Sequence, residues 1–200
     1  MNPSSAPSQT PQEKVPSVRH EVSGTSIINY LKHFDKTGVR ATMRQRVSPE
    51  TAVYFDKLIL RTSWVPRSVL DDIYAAVAMD GGEDAVRRFS LEVTRDGYGP
   101  MVRQFTETLL ALIGASPATI FSRFGSIGGM YEHGTEYSYT ARSPRSGELV
   151  VRLVEPAPRL VFVAWEGIFQ FAFELTREQG TVEPVQVSEG GRVGLFHLRW

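Results

Sequence analysis

Histidine is the side chain best suited to proton transfer near neutral pH and is a common metal ligand. The chain has four, His20, His33, His133 and His197, too dispersed to form a local metal motif. In "YEHG", Glu132 stands beside His133, and a carboxylate near an imidazole can make it a base or a ligand. Adjacent residues in a loop point apart, so the two read as solvated. Asp71 and Asp72 read as an exposed helix face rather than as paired catalytic carboxylates, and Arg40, Arg44 and Arg46 as a small basic cluster on a solvated surface. The absence of cysteine excludes disulfides, thiolate zinc sites and a cysteine nucleophile. Phosphate-loop, dinucleotide-binding, H-E-x-x-H and nucleophile-elbow patterns are also absent. "GSIGG" at 125 to 129 fits none of these and reads as a helix stop. These residues indicate neither a catalytic centre nor a metal site, and no enzyme and no cofactor are expected.

Aromatic chemistry is better represented. "LVFVAWEGIFQFAFELT", residues 160 to 176, is the most apolar stretch of the chain. As a helix it spans about 24 Å, short of the roughly 30 Å hydrocarbon core of a bilayer. Glu166, Gln170 and Glu174 recur every four residues and draw one narrow polar stripe along it. No membrane span is expected. Instead the helix is covered by a sheet on one side and by helices, a ligand or another subunit on the other. Gly167 permits close approach of a second backbone, as at a tight helix crossing. Trp64 and Trp200 read as core anchors.

The elements around this helix follow from local signals. Residues 1–22 are rich in Pro, Ser and Gln with no apolar run, and are expected to form a disordered tail. From Gly24 to about Met130 the pattern is helical. Ser48 caps a helix that carries Pro49 in its first turn and runs to about Leu60, Pro66 opens a second helix in the same way, and Ser116 caps a third ahead of Pro117. "DGGED" starts a helix carrying Val86, Phe89 and Val93, and a separate one follows that buries Val102, Phe105, Leu109 and Ile113. Beyond Gly129 the period falls to two. "TEYSYTAR" and "ELVVRLV" form a hairpin across "SPRSG", and "TVEPVQV" and "RVGLFHLRW" are two further strands. The expected fold is α+β: an N-terminal helical bundle followed by a strand-strand-helix-strand-strand antiparallel sheet unit, one domain over 23–200.

Basic and acidic residues balance at 22 each, so no one-signed field draws nucleic acid or an anionic membrane. The lack of cysteine and of a signal-peptide pattern leans toward the cytoplasm.

Taken in order, "GTSIINYL", "SPETAVYFDKLILRTSWVP", "ASP" at 115 to 117, "MYEHGT" and the terminal "FHLRW" resemble a family of uncharacterised proteins abundant in myxobacteria. That family looks related in fold to four-vinyl-reductase-type domains, haem-based nitric-oxide sensor domains and subunits of vesicle-tethering complexes. The resemblance implies ligand binding rather than catalysis, and a homodimer. Haem sensors of this fold carry a Tyr-x-Ser-x-Arg signature and a helical His ligand; "TEYSYTAR" has these residue types at other spacings, which argues against haem. Relatives with a cysteine in the last strand find Gly194 near that point here, which argues against a metal.

The leading expectation is a non-catalytic sensory or regulatory domain that binds a small apolar molecule between aromatic walls, with Phe124, Tyr137, Tyr139, Trp165, Phe169 and Phe173 as candidate ligand-binding residues. An enclosed cavity of about 300 Å³ or more would favour it. The alternative is a homodimeric interaction module without ligand, favoured by a contiguous exposed apolar patch. An enzyme would need polar groups such as Glu132 and His133 to converge in a cleft.

Overall fold

The computed structural model describes the backbone of residues 19–112 and 116–200, with side chains described for all of these except 98–112. Among the described residues eight helices and seven strands follow in the order β1 (Glu21–Ser23), α1 (Gly24–Thr37), α2 (Arg40–Arg46), α3 (Pro49–Asp56), β2 (Trp64–Pro66), α4 (Ser68–Ala78), α5 (Gly82–Leu112), α6 (Pro117–Ser122), α7 (Phe124–Gly128), β3 (Thr135–Ser143), β4 (Ser146–Leu153), α8 (Arg159–Thr176), β5 (Thr181–Val182), β6 (Gln186–Ser188) and β7 (Val193–Arg199). The fold is α+β, as the change of period indicates.

The helix starts follow local chemistry. Ser23, Ser48 and Ser116 each accept a hydrogen bond from a backbone N–H of the first turn, and Pro49 and Pro117 occupy positions where a missing N–H costs nothing. Three expectations need correction. α3 ends at Asp56, with Lys57 already extended, rather than near Leu60. Pro66 closes β2 and does not open α4, whose cap is Arg67. α5 is a single helix that continues through Gly97 and Pro100. The expected burial of Val102, Phe105, Leu109 and Ile113 lies outside the described residues.

The expected tail boundary falls too late, because Glu21 and Val22 belong to β1; residues 1–18 lie outside the described residues. β1 pairs antiparallel with β2 on one side. On the other it exchanges Ser23 N–H to Tyr131 O (2.7 Å) and His133 N–H to Glu21 O (2.8 Å), with Val22 opposite Glu132. This small ladder ties residues 131–133 to the start of α4.

The main sheet is antiparallel, in the order β3-β4-β7-β5, with β6 also on β7. The β3–β4 hairpin turns through Pro144 and Arg145. "TVEPVQV" divides at Glu183–Val185, where Pro184 has no N–H to offer, and both halves pair with β7. Gly147, Leu149, Val151 and Leu153 of β4 are buried in alternation, as are Gly194, Phe196 and Leu198 of β7.

α8 lies in the middle of the core and presents different faces to different neighbours. Phe162, Phe169 and Phe173 are turned to the sheet side. The Phe169 ring meets Phe196 edge-on at 4.9 Å, and a Cβ on Gly194 would strike Phe162. Gly167 faces α5, where a Cβ would overlap the Arg87 carbonyl oxygen and come within 2.9 Å of Leu91 N. The polar stripe is fully used. Glu166, 1% exposed, accepts from Arg87 Nε (2.6 Å) and from Val185 N–H (2.8 Å). Gln170 donates to Gly180 O, and Glu174 pairs with Arg95. Arg87 with Glu166 and Arg95 with Glu174 advance together along both helices, so α5 and α8 run parallel with their register fixed twice. No helix among the described residues is long and apolar enough to cross a membrane.

The closeness at Gly167 makes it the least replaceable residue of α8. Gly167→Ala should lower unfolding free energy by about 2–3 kcal/mol, because two backbones must separate to admit a methyl group. Urea denaturation followed by far-UV circular dichroism measures this, and an unchanged midpoint would show that the crossing is looser than described.

Candidate ligand-binding site

A fourth stripe on α8, Trp165, Ile168, Ala172 and Leu175, lines a cavity of about 190 Å³. Its other described walls come from α1 (Ser26, Asn29, Tyr30), Leu70 of α4, Val93, Thr94 and Gly97 of α5, Ile120 of α6, Phe124, Ile127 and Gly128 of α7, Tyr131 and Glu132, and Tyr137 of β3. Two glycines allow these walls to meet. A Cβ on Gly128 would strike the Tyr137 ring, and one on Gly97 would sit 2.8 Å from Asn29 Nδ2. The volume is below the roughly 300 Å³ that would favour ligand binding on size alone, yet exceeds the roughly 150 Å³ that holds a benzene molecule in an engineered apolar cavity.

The candidate aromatic residues divide between cavity and core. Phe124, Tyr137 and Trp165 line the cavity. Phe124 meets Tyr137 at 5.2 Å and 61°, and Tyr137 meets Trp165 at 6.1 Å and 82°, so the rings stand as inclined walls. Phe169 and Phe173 do not line it. Both are buried behind it against Phe121, with Phe169 also on Phe196 and Phe173 beside Trp200. Tyr139 also lies off the cavity: its ring is near Phe121, and its buried hydroxyl has no hydrogen-bond partner among the described residues. Trp200 packs at the core edge, as expected, whereas Trp64 is 38% exposed and stacks on His133 at 3.5 Å.

The cavity also has a polar side, at residues whose sequence context indicates a solvated surface. Glu132 and His133 do point apart, but only His133 faces outward. The bridge to Val22 turns Glu132 inward, where its Oε2 accepts from Thr135 Oγ1 (3.1 Å), Tyr137 OH (3.4 Å) and Arg67 Nη1 (3.4 Å). Arg67 is 4% exposed. Its Nη1 also donates to His20 Nε2 (2.9 Å), its Nε faces Asp71 Oδ1 at 3.5 Å, and its guanidinium lies 5.2 Å from the Trp165 ring. Asp71 is thus part of this buried cluster and not an exposed face, while Asp72 accepts from Ser48 N–H. Tyr30 and Tyr74 share a buried hydroxyl hydrogen bond of 2.7 Å, and burial pushes the Tyr30 hydroxyl up to about 12. Burial, then the Glu132 charge, raises the Tyr137 hydroxyl well above its ordinary value, so it serves as a donor. The basic cluster on α2 is exposed but paired, with Arg40, Arg44 and Arg46 answered by Asp35, Asp56 and Asp80.

Sequence carried one signal for this cluster. An arginine at a helix start opposes the helix dipole, which favours anions there; Arg67 holds that position because two carboxylates, Asp71 and Glu132, meet it.

Burial, then the Arg67 charge, lowers His20 to about 4. The unfolded chain therefore takes up this proton first, and stability present above about pH 6.5 is lost as pH falls toward about 4. Asp71, raised by burial against the opposing pull of Arg67, works in the opposite sense and recovers some stability in acid. Between about pH 7 and pH 5 the urea midpoint should fall for the parent and fall less for His20→Gln, whose amide oxygen accepts the same hydrogen bond without titrating. Equal pH slopes would exclude His20 as the source.

No protein-family model matches the chain, and no curated protein does. Solved structures do. An unliganded iron(II) H-NOX protein mutant from K. algicida aligns with a TM-score of 0.65 at 9% identity, covering 88% of this chain and 95% of that one. An oxygen-binding H-NOX domain related to soluble guanylate cyclases aligns at 0.61 and 9% identity, covering 88% and 94%. A structure concerned with the mechanism of H-NOX activation aligns at 0.60 and 10% identity, covering 88% and 95%. Of the fold relatives implied by the sequence, the comparisons return the haem-based nitric-oxide sensors.

The residues do not fit a haem. Axial ligands come from His, Cys, Met or Tyr. The chain has no cysteine, and all four histidines lie in described segments, none of them on the cavity. Of the described cavity tyrosines, Tyr30 and Tyr137 have their hydroxyls engaged by Tyr74 and Glu132 and Tyr131 stands half-exposed at the rim, and no methionine lines the described walls. A volume near that of benzene also falls well short of a tetrapyrrole. The chain shares the H-NOX fold, with a cavity at the junction of its helices and sheet that none of its histidines lines.

Proposed function

We propose that this chain is a non-catalytic sensory or regulatory domain that binds a small, largely apolar molecule in the cavity beside α8. The observation that carries this reading is the cavity itself: aromatic and aliphatic walls drawn from six helices and a strand, with a few polar tips held in place by a buried network. This is the composition of sites that bury an apolar ligand and orient it by a few contacts. The fold relatives support a ligand-binding role, and one of them is named for binding oxygen. Glu132 and His133 face opposite ways, so they do not form the acid–base pair that an enzyme reading requires. The volume directs the search to molecules somewhat larger than benzene.

Indole is a suitable probe, followed through the three tryptophan indole N–H signals by NMR. The expected result is a saturable shift of Trp165, which lines the cavity, larger than any shift of Trp64 or Trp200, and a Kd below about 1 mM. Ala172→Phe, which fills the space from a buried wall position, should abolish the shift while leaving the circular dichroism spectrum intact. An unmoved Trp165 signal, or a full response in Ala172→Phe, would overturn the reading.

A further inference from the structure

The cavity has one charged lining residue among those described, Glu132. Its Oε2 takes all three of its hydrogen bonds, and Oε1 has no hydrogen-bond partner among the described residues. The balancing charge behind it is short by one. Arg67 is the single guanidinium in the cluster among the described residues and faces two carboxylates, Glu132 at 3.4 Å and Asp71 at 3.5 Å. His20 adds no charge near neutral pH, since burial and Arg67 hold it neutral down to about pH 4. With both carboxylates ionised, one negative charge is left beside an apolar cavity. Removing charge from water is costly unless it is paired, so a cation entering here is favoured by an existing deficit.

The walls suit the same guest. Aromatic faces carry negative quadrupole density and attract cations, most strongly where water is excluded, and rings set around an ammonium group are the recurrent solution. Phe124, Tyr137 and Trp165 stand at 61° and 82° to their neighbours in sequence of contact. Tyr30 and Phe171 add two further rings, and Tyr131, 41% exposed, brings a sixth at the rim. An anion would meet the opposite conditions: Arg67 is buried behind Trp165 and Glu132 and does not line the cavity.

We propose that the cavity selects small organic ammonium ions, with the aromatic walls around the cation and Glu132 as its counter-charge, an inference that rests on the small-molecule reading above. No bond is made or broken; the selection is one of binding.

Three probes of one shape test it: benzylammonium, the neutral benzyl alcohol and the anionic benzoate, each titrated by calorimetry and by the Trp165 indole signal. Benzylammonium should bind about tenfold or more tightly than benzyl alcohol, the margin that a desolvated cation on aromatic faces provides, and benzoate should bind weakest. In Glu132→Gln the ratio of benzylammonium to benzyl alcohol affinity, read within the variant, should fall severalfold as the counter-charge is lost, with the remainder carried by the aromatic faces. A margin below tenfold in the parent, a preference for benzoate, or a preference undiminished in Glu132→Gln would overturn the inference. If benzyl alcohol still binds in any of these cases, the small-molecule reading stands; if none of the three probes moves Trp165, both fall together. Should Glu132→Gln fail to fold, the ranking of the three probes on the parent decides alone.

Discussion

The close crossing of α5 and α8 sets the positions of everything else. At Gly167 the two backbones meet where no side chain fits, and beside it Glu166 is buried with Arg87 and the Val185 N–H as its partners. A buried carboxylate is tolerated only with its lone pairs occupied. Glu166 therefore requires a cation from α5 and a backbone donor from the β5–β6 connection at once, which joins helix, helix and sheet edge at one point. The second pair, Arg95 with Glu174, repeats the register further along. Once the crossing is set, the remaining sides of α8 have no freedom: the phenylalanines must meet the sheet, and the stripe from Trp165 to Leu175 must face the space beneath α1 and α4.

The second organising feature is the short β1 ladder. Three residues at the start of the domain hold β2 on one side and residues 131–133 on the other. By that means Arg67 and Glu132, 65 positions apart, come within reach of each other. The polar corner of the cavity thus depends on a strand too short to be stable alone, and its hydrogen bonds are supported by the buried ion cluster that it assembles. The fold shared with H-NOX proteins accommodates this corner without a histidine in the cavity, so the scaffold and the chemistry of its site are separable here.

Much of the architecture was legible in the sequence because it is local. Serine caps with a following proline, the switch of period beyond Gly129 and the polar stripe on the apolar helix each depend on residues within a few positions, and each is found in the structure. Gly167 was legible for the same reason. The short strands β1 and β2 were not, since three residues cannot display an alternation. The failures at the site have a different origin. Phe169 and Phe173 are chemically the same as Phe124, and periodicity tells that they share a face but not which neighbour covers it. Glu132 and Asp71 read as surface from sequence because a buried charge is recognisable only through its partner, and the partners come from distant segments.

α8 also bears on how occupancy of the cavity would be felt elsewhere. Ala172 and Phe173 are consecutive residues, one on the cavity wall and the other under Trp200 at the end of the sheet. A packed helix does not bend to absorb a guest on one flank; it shifts as a rod, or it refuses the guest. Coupling between distant places requires a rigid element that both of them load, and α8 is loaded by the cavity, by the sheet and by α5. The arrangement is that of a lever whose fulcrum is Gly167, with the outer strands of the sheet at its output end.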